Sequence, residues 1–367
     1  MIKKHKRTRK GWMRRTSRVY LNNLNKDKTK SLISFLNGYT QALNYAVART
    51  WSDHVRENRM SINLASKEFT DALRTRFNTT ARLSQCISKQ AKEMCLSQKE
   101  KNKHDRRMPR MTRHVANLDS RLVTISEFDG SFDFCMKLSS GAPKMIVPFN
   151  KTVHLNKFLS RGWLLSKSVR LGYNERGLFA DLILEKEKPP MRTEGTVLGI
   201  DRGFNTMLAT SDGQFIGKEL KEQIKKGGKR RKSWHHYIET EALRYLKQLK
   251  LTNVKTISIE NLKNVKKDKR GKFSRKVNRL LSFWLYAKVG ERLRQLCEET
   301  GIRLEFKSPW KTSQRCAVCG NIGKRNRNGE KFLCLNCGHA DNADHNASKN
   351  LELLGLAGVY SLRSLKS

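Results

Sequence analysis

The chain has 367 residues, enough for two or three domains, and its 76 Lys and Arg against 33 Asp and Glu leave a formal net charge of +43 at pH 7. A surface charged only for solubility keeps the two signs near balance, so an excess of this size excludes an ordinary solvated surface and calls for a polyanion, most simply nucleic acid. No apolar run approaches the roughly 20 residues needed to span a bilayer, nothing resembles a signal peptide, and no Lys-rich helix with a continuous apolar face is offered to a membrane surface, so a cytoplasmic protein is expected.

Residues 1–15 hold eight cations, Lys3, Lys4, Lys6, Arg7, Arg9, Lys10, Arg14 and Arg15, around Trp12. They read as an arm that orders on a phosphate backbone, with a solubility tail or a nuclear localisation signal as alternatives on charge alone. Arg18 to Leu21 predict a strand. From Thr29 to Trp51 the apolar period turns helical through Leu32, Phe35, Leu36, Tyr39, Leu43, Ala46 and Val47. A second helical zone runs from Ala65 to about Lys101, and Met108 to His114 form a basic connector. Short strands follow at Leu122–Ile125, Phe132–Leu138, Met145–Phe149, Ser168–Leu171 and Leu178–Glu185, the last two joined by a hairpin turn at Asn174-Glu175-Arg176-Gly177. This half is β-rich with a helical insertion and holds no acid constellation, which fits a binding role. Pro189-Pro190 closes it.

Thr196 to Ile200 read as a buried strand with Asp201 at its end, and Met207 to Thr210 as its return strand. Lys218 to Arg231, broken by Gly227-Gly228, read as a basic loop, and Tyr237 to Leu249 as a helix opened by His235 and His236 at the surface. Val254 to Glu260 repeat the first strand, again with an acid at the end. A crossover through the intervening helix makes the two strands parallel neighbours and brings Asp201 and Glu260 to one edge. An amphipathic helix from Arg279 to Thr300 (Leu281, Trp284, Leu285, Val289, Leu293, Leu296) stops at Gly301, and Ile302 to Phe306 form a further strand.

The third acid is Asp344, in the first turn of a helix that Asp341 caps and Gly355 ends. Ala347 and Ser348 share its face and let the backbone approach the sheet, while Asn346 and Asn350, four apart, brace neighbouring backbone or carboxylates. Three carboxylates gathered in this way suit two divalent ions about 4 Å apart, which activate water and stabilise the leaving oxygen of a phosphodiester. Ligands that are all hard oxygens favour Mg²⁺ or Mn²⁺.

Eight cysteines complete the reading. Cys316 and Cys319, then Cys334 and Cys337, form two CxxC knuckles separated by 14 residues and each followed by Gly, the spacing of a structural tetrahedral Zn²⁺ site. His339 is not needed as a fifth partner. Cys86, Cys95, Cys135 and Cys297 are scattered, as reduced thiols are, so no disulfide framework is expected.

Gly-Ile-Asp201-Arg-Gly, Ile-Glu260-Asn-Leu, Thr-Ser313-Gln-Arg-Cys316-Ala-Val-Cys319-Gly, Cys334-Leu-Asn-Cys337-Gly and Ala-Asp344-His-Asn-Ala-Ser-Lys-Asn-Leu follow one another in this order. With them the chain resembles the TnpB family of transposon-encoded nucleases, relatives of the smallest type V CRISPR effectors, over roughly residues 195–355. The resemblance implies an α/β and β multidomain protein. Its RNase H-like RuvC nuclease domain would occupy 191–310 and 340–367, with a zinc ribbon inserted at 311–339. Its N-terminal β-barrel wedge domain would take in a basic arm and first strand at 1–28, the rest of the barrel at 115–190, and a helical recognition insertion at 29–114. It further implies a guide RNA from the transposon end or a CRISPR array, and a short motif read beside a double-stranded DNA target whose sequence base pairing reads. Asp201, Glu260 and Asp344 match the family's Mg²⁺-binding catalytic acids, and the four knuckle cysteines its Zn²⁺ ligands. A monomer near the nucleoid of a prokaryotic cell is expected. A guided repressor that no longer cuts, an unguided RNase H-like nuclease or transposase, and a ribosomal-type zinc-ribbon RNA binder are the alternatives. Three features depart from the family: a short basic segment between the first two acids, few residues after Val359, and Asn342 where many members carry another acid.

Overall fold

A computed structural model describes residues 11–51, 67–99, 101, 106–128, 130–139, 144–203, 205–226, 231–262 and 286–365. Residues 1–10 of the basic arm, the Gly227-Gly228 break, and Leu281, Trp284 and Leu285 of the helix expected from Arg279 lie outside them. The chain divides into two compact units, Met1–Glu187 and Lys188–Ser367.

The first unit begins with β1 (Trp12–Tyr20), longer than the strand expected at 18–21, and α1 (Lys26–Thr50). Asn25 caps α1 by accepting from the Lys28 amide at 2.8 Å. Leu32, Leu36, Tyr39, Leu43, Ala46 and Val47 bury the apolar face read from the sequence. The second helical zone is two helices, α2 (Lys67–Phe77) and α3 (Ala81–Lys99). Asn78 sits at φ 48° between them. Asn tolerates this left-handed conformation better than most residues, and it ends the first helix. Buried Tyr39 donates to Gln90 Oε1 at 2.9 Å, tying α1 to α3.

Beyond these helices lie β2 (Val115–Leu118), β3 (Val123–Glu127), β4 (Phe134–Leu138), β5 (Met145–Phe149), α4 (Val153–Leu159), β6 (Leu164–Asn174) and β7 (Gly177–Glu187). The hairpin turn is as expected, with Asn174 opposite Gly177 and Gly177 at φ 112°. The strands form two antiparallel sheets, ordered β1-β7-β6-β2 and β3-β4-β5. One apolar core joins them to the helices. β2 and α4 were not legible in the sequence because each is short and lacks a full period.

The second unit is organised on a five-stranded sheet. β8 (Thr196–Asp201), β9 (Leu208–Thr210) and β10 (Phe215–Ile216) form an antiparallel meander. β11 (Val254–Glu260) and β12 (Arg303–Lys307) run parallel to β8, in the order β10-β9-β8-β11-β12. Ile259 is opposite Ile200, so Asp201 and Glu260 end neighbouring parallel strands at the same edge. The segment expected as a loop from Lys218 contains a helix instead, α5 (Leu220–Lys226), because Leu220 and Ile224 are one turn apart and both buried. α6 (Arg231–Leu246) starts earlier than expected, and α7 (Tyr286–Thr300) ends at Gly301, which has φ 70°.

Strand alternation assigns the two faces of this sheet their chemistry. Leu198, Ile200, Ile257 and Ile259 join one core with Ala242, Leu246 and Leu293 of α6 and α7. The alternate residues Val197, Gly199 and Asp201 of β8, with Ser258 and Glu260 of β11, belong to the opposite face. Against that face lies α8 (Ala343–Leu356). A Cβ on Gly199 would stand 1.9 Å from the Ser348 carbonyl oxygen, and one on Gly355 would stand 2.7 Å from Val197 Cγ1. Backbone therefore meets backbone here, as the small residues of α8 predict. Gly199→Ala forces α8 off the sheet and is expected to cost at least about 3 kcal/mol, the upper end of overpacking penalties. A melting curve unchanged by this substitution would show the close approach to be dispensable.

Two expectations at the ends of α8 are corrected. The cap is Asn342, not Asp341: its side chain accepts from the Asp344 and His345 amides at 2.9 and 3.2 Å. Asp341 lies in β15 (Ala340–Asn342), and its carboxylate takes His345 at 2.9 Å and Lys349 at 3.0 Å. Gly355 does not end the helix; it provides clearance against β8. The chain turns at Ala357 and Gly358, which has φ 66°.

Candidate active site and cysteine cluster

Asp201 and Glu260 lie on the sheet face that α8 covers and Asp344 in the first turn of α8, only 7%, 8% and 4% exposed. A Cβ on Gly203 would stand 3.0 Å from Asp344 Oδ2, so the turn after β8 needs glycine for that carboxylate to sit against it. Burial raises Asp201 well above the usual carboxylate range, and the charges of Glu260 and Asp344 raise it further. Burial also raises Glu260, against which the Thr312 hydroxyl is the strongest opposing influence. Asp344 is raised by burial and held back by Arg327. Among the described residues, the group compact enough to hold a metal ion as it stands is the four cysteines, not these acids. One Asp344 oxygen is instead paired with Arg327 at 3.0 Å. Carboxylates that are buried, that repel one another and that offer only oxygen fit Mg²⁺ or Mn²⁺, because neither water nor enough protein cations offset their charge.

This environment sets a pH dependence. A buried acid with a raised native pKa binds more protons folded than unfolded, so stability falls as pH rises from the unfolded value near 3.9 through the native one. The zinc-loaded, Mg²⁺-free protein is expected to lose melting temperature over that window, and Mg²⁺ to restore it most at the alkaline end. Asp201→Asn should raise the Mg²⁺-free midpoint at pH 8, by about 2–4 °C for each kcal/mol relieved. Scanning calorimetry with and without Mg²⁺ checks both, and an unaltered midpoint in the variant would mean the repulsion is not felt.

The sequence reading missed three partners of the acids. Thr312 donates to Glu260 Oε1 at 2.6 Å. Buried Arg202 donates to the Glu260 carbonyl and lowers that residue's pKa through its charge. Arg327, in the basic stretch between the two cysteine pairs, pairs with Asp344. Arg202 and Thr312 stand in quoted motifs and Arg327 between two of them, but which acid each would meet depends on long-range packing. Asn346 and Asn350 brace backbone as expected. Asn346 accepts from the Ala317 amide at 2.9 Å and donates to the Arg315 carbonyl at 2.8 Å. Asn350 donates to the Thr312 and Arg315 carbonyls at 3.0 and 2.8 Å.

The cysteines form two knuckles of matching geometry. The Cys316 amide donates to the Asn321 carbonyl at 2.8 Å and the Gly320 amide to the Cys316 carbonyl at 3.0 Å. Cys334, His339 and Gly338 repeat this at 2.9 and 2.9 Å. Gly320 and Gly338 take φ 77° and 74°, which any other residue would resist. The Sγ atoms all lie within 4.8 Å of one another, with Cys316–Cys337 at 3.7 Å and Cys319–Cys334 at 3.5 Å. Tetrahedral Zn–S bonds of about 2.3 Å place sulfurs roughly 3.8 Å apart, so the cluster fits Zn²⁺ with no open position. A three-stranded sheet frames it: β13 (Arg327–Asn328), β14 (Lys331–Leu333) and β15. The other four cysteines are free thiols, and burial pushes Cys95 up to about 11 and Cys297 up to about 12.

In the first unit, a groove of about 560 Å³ is lined by Arg14, Arg82, Lys89 and Arg170, by Glu93, Asp119 and Asp181, and by the amides of Gln85 and Asn117. Arg82 pairs with Asp119 and Arg14 with Glu185, so the groove is polar with charges of both signs. No helix among the described residues is long and apolar enough to cross a membrane.

Residues 286–351 match the Cas12f1-like TNB domain family. A TnpB-like protein of Aquifex aeolicus is 39% identical over 108 residues, 29% of this chain and 35% of that protein. The CRISPR-associated endodeoxyribonuclease Cas12f1 of Sulfoacidibacillus thermotolerans is 36% identical over 99 residues, 27% of this chain and 22% of its own. These alignments therefore span about a third or less of the curated relatives. Among solved structures, a Cas12f1–sgRNA–target DNA complex superposes with TM-score 0.60 at 14% identity, over 89% of this chain and 83% of that one. The mini RNA-guided endonuclease CRISPR-Cas phi3 superposes with TM-score 0.53 at 11% identity, over 94% and 93%. Residues 286–351 thus match the Cas12f1-like TNB domain, and the chain is similar in sequence to TnpB-like and Cas12f1 proteins, with a mixed α/β fold like that of the solved miniature type V effectors.

Proposed function

We propose that this protein is an RNA-guided DNA endonuclease. It would bind a transposon-derived or CRISPR guide RNA, recognise a short motif beside a double-stranded target, and cut in a RuvC domain of ribonuclease H type. One observation carries the reading: Asp201 and Glu260 end adjacent parallel strands of a sheet whose other half is an antiparallel meander, and Asp344 is on the helix packed over that same face. A ribosomal-type RNA binder has no use for three buried acids, two of which raise the pKa of Asp201, and a guided repressor has no reason to keep all three.

When bound, Mg²⁺ or Mn²⁺ supplies Lewis acidity, activating water and offsetting charge on the leaving oxygen. Asp201, Glu260 and Asp344 would hold it. The chain's own part is preorganisation: the Gly203 turn seats Asp344, and Arg327 adds a positive charge beside it. Hydrolysis would leave a 3′-hydroxyl and a 5′-phosphate. Asn342, where many TnpB-family members carry another acid, serves as the helix cap and leaves the three-acid set complete. The first unit, with its two sheets and its helices α1, α2 and α3, would serve as wedge and recognition module for the RNA and the target duplex.

The test is to express the protein beside its native flanking DNA, sequence the RNA that copurifies, and assay Mg²⁺-dependent cleavage of a matching duplex. One discrete structured RNA with a variable end, together with guided cutting, supports the proposal. Bulk degraded RNA with unguided cutting would replace it with an unguided nuclease.

A further inference from the structure

The segment that leads into the first cysteine knuckle is held more tightly than a linker needs to be. Lys311 adopts φ 54°, an unfavourable conformation for a residue with a side chain, and its carbonyl accepts from the Gln314 and Arg315 amides at 3.0 and 3.1 Å. Thr312 follows, 1% exposed, and Asn350 of α8 clamps its carbonyl at 3.0 Å. Its hydroxyl bonds Glu260 Oε1 at 2.6 Å and lies 3.3 Å from the Pro309 carbonyl. Backbone held in a sparsely populated conformation by surrounding bonds is a recurring mark of a functional constraint.

We propose that Thr312 is the positioning residue for Glu260, fixing the rotation of its carboxylate so that the acid cluster is preorganised for a divalent cation. The terminal torsion of glutamate is broad and roughly two-fold, so a carboxylate with no directional partner samples many orientations. A buried hydroxyl at 2.6 Å removes that freedom from one oxygen. Thr312 is in turn set by Asn350, which with Asn346 also holds Arg315 and Ala317 on either side of Cys316. The knuckle, α8 and Glu260 thus form one continuous hydrogen-bonded unit, in which Thr312 is the last link to the carboxylate.

The inference rests on the reading of the acids as a metal site, and the experiment separates the two. Mn²⁺ binding to the zinc-loaded, nucleic-acid-free full chain is titrated by electron paramagnetic resonance, with Asp201→Asn marking binding elsewhere. Thr312→Val keeps the shape and removes the hydroxyl; Thr312→Ser keeps the hydroxyl. Valine is expected to weaken Mn²⁺ binding roughly 10- to 100-fold, the usual effect of losing an outer hydrogen bond to a ligand, while serine stays within about threefold of wild type. Zinc content should stay at wild-type level in both. Thr312→Ala, expected to behave as valine does, decides the matter should valine not fold. Wild-type affinity in the hydroxyl-free variant, or serine as weak as valine, overturns the role of Thr312 and leaves the metal site standing. Wild-type binding no stronger than that of Asp201→Asn overturns the metal site itself, and this proposal with it.

Discussion

Asp201→Ala is expected to lower guided cleavage at least about a thousandfold, some 4 kcal/mol of barrier, with target binding unchanged. Two effects compete. Removing a buried carboxylate relieves the repulsion with Glu260 and Asp344 that raises its pKa, so the fold should be no less stable. The same change removes a ligand from a cluster whose chemistry depends on accumulated negative charge, and this effect dominates activity. Asp201 is the cleanest of the three acids to test, because replacing Glu260 strands the Thr312 hydroxyl and replacing Asp344 strands Arg327. Glu260→Ala and Asp344→Ala should abolish cleavage as well. Binding should survive in each because affinity for the polyanion comes from the net charge of +43, spread along the chain. Gel-shift and cleavage assays on the same preparations decide it. If all three variants lost binding together, the acids would be structural.

Much of this site was legible because the physics that places it is local. A β-branched or apolar run ending in an acid, twice, gives two strands with carboxylates at their ends, and β11 falls on the residues expected, Val254–Glu260. Small residues after Asp344 announced the close approach that Gly199 completes from the strand side. Two CxxC pairs with trailing glycines define knuckles whose hydrogen bonds lie within five residues. What was not legible depended on long-range packing. Asp341 and Asn342 are both good caps by type, and the choice between them is made by the pairing of β14 with β15, which draws the Asp341 carboxylate toward His345 and Lys349. Arg327 is one cation among several in a basic stretch, and only the fold of the hairpin brings it to Asp344. The break at Asn78 likewise turns on a backbone conformation that periodicity does not register.

Removing zinc is expected to have the largest effect on the second unit. The cysteine module has little else to hold it: its apolar cluster is Cys316, Phe332, Cys334 and Ala343, of which two are cysteines of the knuckles themselves. A structural zinc contributes on the order of 10–16 kcal/mol in small modules at neutral pH, far beyond what burying Phe332 and Ala343 supplies. The damage should not stay local. The Ala343 amide donates to the Glu330 carbonyl at 2.8 Å, and Asn346 and Asn350 bond the backbone around Cys316, so α8 loses its partners at the turn that bears Asp344. The first unit has its own core and should be spared. Cys316→Ser, or prolonged chelation, is therefore expected to bring zinc below one per chain and to expose the region from about residue 308 to proteolysis. The first unit's own transition should remain, and Mg²⁺-dependent cleavage should disappear along with the second unit's transition. Atomic absorption, limited proteolysis and calorimetry on the same preparation measure each part. Unchanged zinc content with an unchanged melting curve would show that Cys316 is not a ligand, and zinc loss with cleavage intact would show that the knuckles do not support Asp344.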